Sequence, residues 1–313
     1  MNAEPTLLNR EELRELSKLR PLSLALSLLW TWGWIAGCFA LYVYRPSIIT
    51  ALVGIIIISG RQLGLAILMH DAAHVLFARD KKWNDRLGQW LCAYPLMLDT
   101  VLYRMVHLQH HKYTWTDKDP DRGLATPFPI SRRSFRRKIL RDLTGRTGIK
   151  HYYGLVRVYS GLSPRGKGRG GRSYGQLFKT FLLRQYGFLV FNAALLAVCI
   201  VVSRPEAYLL LWLVPMLTGY QLVMRLRSIA EHAAVSDPTS ELHQTRTTLS
   251  PALVRFFIAP HSVNYHLEHH LYQFVPHYNL TRAHRMLRAK GALDDAEVVH
   301  GYWRVWRQAT SRR

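Results

Sequence analysis

The sequence predicts an all-α integral membrane protein: two transmembrane helical hairpins, four spans in all, with a cytosolic helical cap carrying a histidine-ligated site. Three observations lead there. Four apolar stretches are long enough to cross a bilayer, basic residues are distributed unevenly between the connecting segments, and three compact histidine clusters lie just outside the apolar stretches.

A bilayer core of about 30 Å needs roughly 20 helical residues. The four stretches that meet this run approximately over 21–44, 47–69, 186–203 and 207–224. The second contains Arg61 and Gln62, and a charge inside a span faces protein or water more often than lipid. The expected arrangement takes this helix past the lipid boundary near Arg61 and on into the cytosol, carrying His70 and His74. Trp30, Trp32 and Trp34 fit an interfacial belt or lipid contact better than the lining of a tunnel.

Topology follows from charge. The chain of 313 residues has 42 Lys and Arg against 20 Asp and Glu. The stretch 104–184 alone holds 19 Lys and Arg and four Asp and Glu, whereas the turns after the first and third spans (Arg45-Pro46 and Arg204-Pro205-Glu206) are very short. Basic residues stay on the cytoplasmic side, so both turns belong outside and both termini inside. All three histidine clusters then fall on one side, as a shared site requires. The expected residence is a bacterial inner membrane, with positive charge serving orientation and anionic lipid rather than nucleic acid.

The chain reads as one domain over 1–313. Residues 1–20 form a polar cytosolic lead-in, which does not read as a cleaved signal peptide. The Gly/Arg-rich run 163–172 cannot bury a core and reads as a flexible basic loop. The apolar but interrupted segment Leu87–Met105 reads as one interfacial helix, and Val254–Ala259 as a second such element. Cys38, Cys92 and Cys199 lie in apolar stretches and suggest no disulfide framework.

The clusters are His70-Asp-Ala-Ala-His74, His107-Leu-Gln-His110-His111 and His266-Leu-Glu-His269-His270, which account for eight of 15 histidines. Offsets of three and four residues put side chains on one helix face. Two HxxHH patterns in one chain are far too rare to arise by chance. Eight converging imidazoles exceed the capacity of one ion, so they point to a pair, and nitrogen ligation without cysteine suits iron, zinc or copper. The neighbouring carboxylates Asp71, Glu231 and Glu268 are placed to orient ring N–H groups, and Asn264 and His261 stand just before the third cluster. His277 and His284 read as structural, and His151, His243 and His300 as isolated surface residues. A zinc hydrolase fits poorly, because no HExxH occurs and the imidazoles are too many.

In this order and around two membrane hairpins, HDAAH, HLQHH and HLEHH resemble the three histidine boxes of the membrane-bound fatty acid desaturase superfamily, bacterial type. Pro276 and Leu280 after the last box, and Asp117-Lys-Asp119-Pro-Asp121 after the second, are similar to motifs of that superfamily. The resemblance covers residues of about 25 to 290. It implies a non-heme di-iron centre (Fe2+/Fe3+) held by His70, His74, His107, His110, His111, His266, His269 and His270, with O2 as co-substrate. It also implies a ninth ligand at His232, and Ser228 stands where some members have a water-holding asparagine. The implied activity is acyl-chain desaturation of a membrane lipid, with electrons from an external ferredoxin, rubredoxin or cytochrome b5-like donor. The alternative on the same scaffold is hydroxylation or ketone formation on a lipid or carotenoid-like substrate. The basic group Arg132, Arg133, Arg136, Arg137 and Lys138 is the candidate donor dock, and anionic lipid contact is the other reading of it.

Overall fold

The computed structural model describes residues 7–163, 168 and 170–311. A short helix α1 (Arg10–Leu16) with an Asn9–Glu12 capping box precedes the first hairpin, α2 (Pro21–Tyr44) and α3 (Ile48–Ala73). Pro21 opens α2 at a position where its missing N–H costs nothing. Ser47 caps α3, accepting from the Thr50 backbone N–H at 3.1 Å. Next come α4 (Lys81–Gly88), α5 (Thr100–Tyr113), α6 (Arg122–Ala125), α7 (Arg132–Leu143) and α8 (Arg146–Tyr159). The second hairpin is α9 (Tyr174–Val201) and α10 (Pro205–His232). The C-terminal part holds α11 (Ala252–Ile258), α12 (His266–Leu271), α13 (His277–Ala289) and α14 (Tyr302–Ala309). Strands β1 (Thr247–Leu249) and β2 (Val298–His300) pair in parallel, Thr247 opposite Val298.

Four helices, α2, α3, α9 and α10, are long and apolar enough to span a bilayer. They differ in environment. The apolar windows of α2 and α9 are 22% buried, while that of α3 is 72% buried, so α3 is the central post. Small residues allow this close packing, as is usual between membrane helices. A Cβ on Gly60, for example, would meet the Phe257 carbonyl oxygen of α11 at 3.0 Å. Arg61 is buried and donates to the Phe256 carbonyl, its guanidinium lying 4.1 Å from that ring's centroid. The charge inside the span thus faces protein, and α11 packs on α3 rather than lying free at the interface.

Other expectations need correction. The span expected at 186–203 begins earlier, at Tyr174, and kinks at the buried Gln185. The fourth span contains a π turn at Leu209–Leu213, bends at Thr218 and runs on to His232. Leu87–Met105 is not one helix. It divides into the end of α4, a π turn (Gln89–Ala93), a 3-10 turn (Tyr94–Leu96), and α5. Pro95 lacks a backbone donor, and Asp99 then starts α5 by accepting from the Leu102 N–H at 2.8 Å. Trp30 and Trp34 are exposed, whereas Trp32 stacks on Trp212 at 6.2 Å. The basic loop 163–172 lies partly outside the described residues.

α8 lies against the second hairpin because Gly148 lets it approach backbone to backbone. A Cβ there would sit 2.3 Å from the Leu217 carbonyl oxygen and 2.7 Å from Leu217 Cα, whereas one at Gly154 meets nothing within 4 Å. Gly148→Ala is therefore expected to cost about 1–3 kcal/mol, as overpacking does, and to lower the thermal midpoint of the detergent-solubilised protein. Gly154→Ala on the same helix should leave the midpoint unchanged or higher. Equal midpoints for the two variants would refute this account of how α8 is seated.

Candidate metal centre

Most of the expected histidines are delivered by the C-terminal ends of helices. His70 lies in the last turn of α3 and His74 caps it; His107, His110 and His111 occupy the last two turns of α5; His232 is the final residue of α10. His269 and His270 close α12, whose first residue is His266. Helix C-termini carry partial negative charge, which favours cations. The end of α3 is tied to α5 and α4. Arg104 donates from Nε to the Ala73 carbonyl at 2.6 Å and from Nη2 to the Ala72 carbonyl at 2.9 Å, and Asn84 donates to Ala72 at 2.8 Å. The first and second clusters are thereby held at a set distance from each other.

All nine histidines converge, in two adjacent groups. His70, His74, His107, His111 and His269 form one, and His110, His232, His266 and His270 the other; within each, one nitrogen per ring lies within 4.8 Å of all the rest. The His111 and His270 rings stand 4.3 Å apart where the groups meet. In the first group His111 Nε2 is 3.0 Å from both His107 Nε2 and His269 Nε2. In the second, His232 Nε2 is 3.2 Å from His110 Nε2 and 3.0 Å from His266 Nε2.

These separations fit metal ions. One nitrogen cannot serve two such neighbours as donor at once, and Nε2 of His70, His74 and His270 is buried without a hydrogen-bond partner among the described residues. Imidazole nitrogens about 2.1 Å from a common ion and roughly 90° apart would lie about 3.0 Å from each other. Five of the rings are held in the protonation state that a metal needs. Burial, reinforced by neighbouring imidazoles, holds His107, His266, His269 and His270 well below the usual histidine range and His74 at about 3. Neutral rings at pH 7 keep a lone pair for a metal. The free cysteines Cys38, Cys92 and Cys199 are buried and belong to neither group.

Behind the rings stand hydrogen-bonding groups of the kind that fix ligand tautomers. His110 Nδ1 faces Asp119 Oδ1 at 2.9 Å, and Asp119 accepts from the backbone N–H groups of Trp115 and Asp121, both at 2.9 Å. Although burial raises its pKa, the bond from His110 holds Asp119 below the ordinary carboxylate value. His232 Nδ1 lies 3.3 Å from the Gln244 carbonyl. Asp71 Oδ1 faces His70 Nδ1 at 3.5 Å, and Glu231 Oε1 faces His266 Nδ1 at 3.6 Å while accepting from Arg227.

Two expected orienting residues act elsewhere. Glu268 points away from the box rings on the short α12 and accepts from Thr247 Oγ1 and His284 Nδ1. Asn264 is buried, but its side chain makes no hydrogen bond among the described residues; its carbonyl accepts from the Thr248 N–H at 2.9 Å. His261 bonds Thr31 Oγ1 at 2.8 Å and is also remote from the rings. His277 and His284 hold the acidic residues of the first and third clusters: His277 donates to Asp71 Oδ2 from backbone N at 3.0 Å and from Nδ1 at 2.7 Å. Asp119 as partner of His110, and Arg227, were missed as orienting groups, although Asp119 belongs to the acidic motif visible after the second cluster.

Two neighbouring cavities border the centre. One of about 380 Å³ is mostly apolar, walled by Ile67, Leu98, Leu102, Leu155 and Tyr159 and bordered by His70 and His107. His151, expected as an isolated surface residue, also lines it. The other, of about 200 Å³, is bordered by His107, His110, His232 and His266 and includes Ser228, Arg122 and Asp119. Tyr103, His107, Asp121, Met224 and Arg227 are common to both. No tryptophan of the run Trp30–Trp34 lines either one.

Comparison with known proteins bears on this geometry. The sequence profile of the fatty acid desaturase family matches residues 46–303. Dihydrorhizobitoxine desaturase of Bradyrhizobium elkanii is 28% identical over 289 residues, spanning 89% of this chain and 79% of that protein. The sn-1 oleoyl-lipid 12-desaturase of a Picosynechococcus species is 24% identical over 293 residues, spanning 88% and 79%. Its counterpart from a Synechocystis species is 25% identical over 243 residues, spanning 72% and 64%.

Loss of an orienting carboxylate behind a metal-binding histidine typically weakens metal affinity by about 10–100-fold. Asp119→Asn should do so here, measured by competition with a chelator, while Asp117→Asn, at an exposed position, should not. Unchanged affinity in Asp119→Asn would remove the carboxylate from the centre's support.

Proposed function

Because this chain belongs to the fatty acid desaturase family and is accordingly a membrane oxidoreductase, we propose that it introduces a carbon–carbon double bond into a lipid acyl chain. The observation that carries this reading is the convergence of nine imidazoles in two adjacent groups beside a mostly apolar cavity. Two iron ions would be held there, one by His70, His74, His107, His111 and His269, the other by His110, His232, His266 and His270. Bound iron supplies O2 activation strong enough to remove hydrogen from unactivated carbon.

The residues present support that chemistry. Neutral imidazoles bind metal without cancelling its charge, and Asp119 and the Gln244 carbonyl hold the outer Nδ1 protons of His110 and His232. Leu98, Leu102, Leu155 and Ile67 offer a dry wall for a hydrocarbon segment beside His70 and His107. In balance, the acyl chain gives up two hydrogens, O2 becomes two waters, and two electrons and two protons come from outside. The electrons are assigned to a separate ferredoxin, rubredoxin or cytochrome b5-like protein. The histidines and both termini are assigned to the cytosolic side, because α3 and α10 bring His70 and His232 to the same end of the hairpins and the basic residues gather there.

Metal analysis should find about two irons per chain, one for each group of histidines. Single alanine substitutions at His70, His107, His110, His266 or His269 should abolish turnover and lower iron content while leaving the protein membrane-inserted. Lipids from cells making the protein should include a species lighter by two hydrogens. A product heavier by one oxygen, or two or more of these variants with full activity and full iron, would defeat the reading.

A further inference from the structure

We propose that substrate reaches the histidines sideways from the bilayer, through a portal between α5 and α8, and that α8 is sunk into the membrane surface over anionic headgroups. This rests on the desaturase reading and narrows the substrate to a chain carried by a bilayer lipid rather than by a soluble thioester.

α8 has three distinct faces. At 3.6 residues per turn, Tyr152, Leu155 and Tyr159 share one face, where Tyr152 and Tyr159 are buried and Leu155 and Tyr159 wall the larger cavity. Ile149, Tyr153 and Val156 share a second face and are exposed, Ile149 and Tyr153 at 62% each. Arg146 and Lys150, both exposed, lie roughly a quarter-turn round from that stripe. An exposed apolar stripe edged by cations is the pattern of a helix lying in the membrane interface. α7 continues it, with exposed Leu140 and Leu143 among Arg136, Arg137 and Arg141. None of these arginines is paired with a carboxylate among the described residues.

The position agrees with the pattern. α8 packs on the second hairpin through Gly148 and Leu217, and the Val158 carbonyl accepts from Arg184 of α9 at 3.1 Å. α5 repeats the two-sided arrangement: Leu102 and Val106 line the cavity, while Val101 and Met105 are exposed. The cavity is thus walled by two helices whose outer surfaces are apolar. In water, a patch of this size would be a liability; in acyl chains it is a doorway. Under a soluble acidic donor, Leu140, Leu143, Ile149 and Tyr153 would stay in water, so lipid is the occupant this face fits.

Spin labels on Ile149→Cys, Tyr153→Cys and Lys150→Cys test the placement, using the full-length protein in phosphatidylglycerol/phosphatidylethanolamine nanodiscs. The native cysteines are buried. Oxygen, which concentrates in lipid, should relax the labels at 149 and 153 several-fold more than a water-soluble nickel chelate does, with the order reversed at 150. Equal access of the chelate to all three would overturn the proposal and leave the face to water or to a soluble partner. Independently, the double variant Ile149→Glu/Tyr153→Glu should raise the apparent KM for nanodisc lipid several-fold without changing metal content; an unchanged KM would overturn the portal. Absence of iron from the unsubstituted protein would defeat the desaturase reading alone, because the labels report the placement of α8 whatever metal is bound.

Discussion

The constraint on which the structure depends is the packing of nine buried or half-buried imidazoles into two adjacent groups. Such a group is costly for a protein on its own. Buried ring nitrogens without partners lose their hydration, and His70, His74 and His270 each present one. The arrangement makes physical sense around cations, and the surroundings are built for cations. Helix C-termini supply partial negative charge, and Asp71, Asp119 and Glu231 stand behind the rings. The membrane hairpins, the α4–α5 turn and the C-terminal helices can each be understood as the means of bringing one set of histidines to this place.

Much of this was legible in the sequence, for identifiable reasons. Apolar length revealed the spans, and charge asymmetry suggested their direction. The three and four residue offsets within each cluster placed the rings on common helix faces. What was less legible depended on tertiary contact. The helix boundaries at Tyr174 and His232 were missed because polar residues dilute the hydropathy signal, exposed Gln176, Lys179 and Arg184 at the first and protein-facing Arg227, Glu231 and His232 at the second. The interruptions Pro95, Asp99 and Arg104 between Leu87 and Met105 were visible, but the apolar residues around them masked the change of direction. Among the supporting residues, adjacency in sequence misled. Glu268 sits between two box histidines yet serves His284, whereas Asp119, nine residues after His110, is the carboxylate that reaches it.

The family relationship adds a consistent frame without deciding the substrate. The relatives act, by their names, on dihydrorhizobitoxine and on sn-1 oleoyl lipids, so the shared architecture accommodates dissimilar molecules. In this chain the walls of the larger cavity come from α3, α5, α8 and α10, and α8 owes its seat to one glycine.

The two histidines of α13 bear on the order in which such a protein is made. His277 and His284, two turns apart on one face, grip the acidic residues of the first and third clusters, Asp71 and Glu268. Asp71 and His277 are separated by 206 positions of chain. A ribosome that has completed both hairpins has therefore not yet produced the clasp that closes the first cluster against the third. Closure of the histidine groups is thereby tied to the end of synthesis, and a truncated or stalled chain holds its first histidines without the brace that the finished protein gives them.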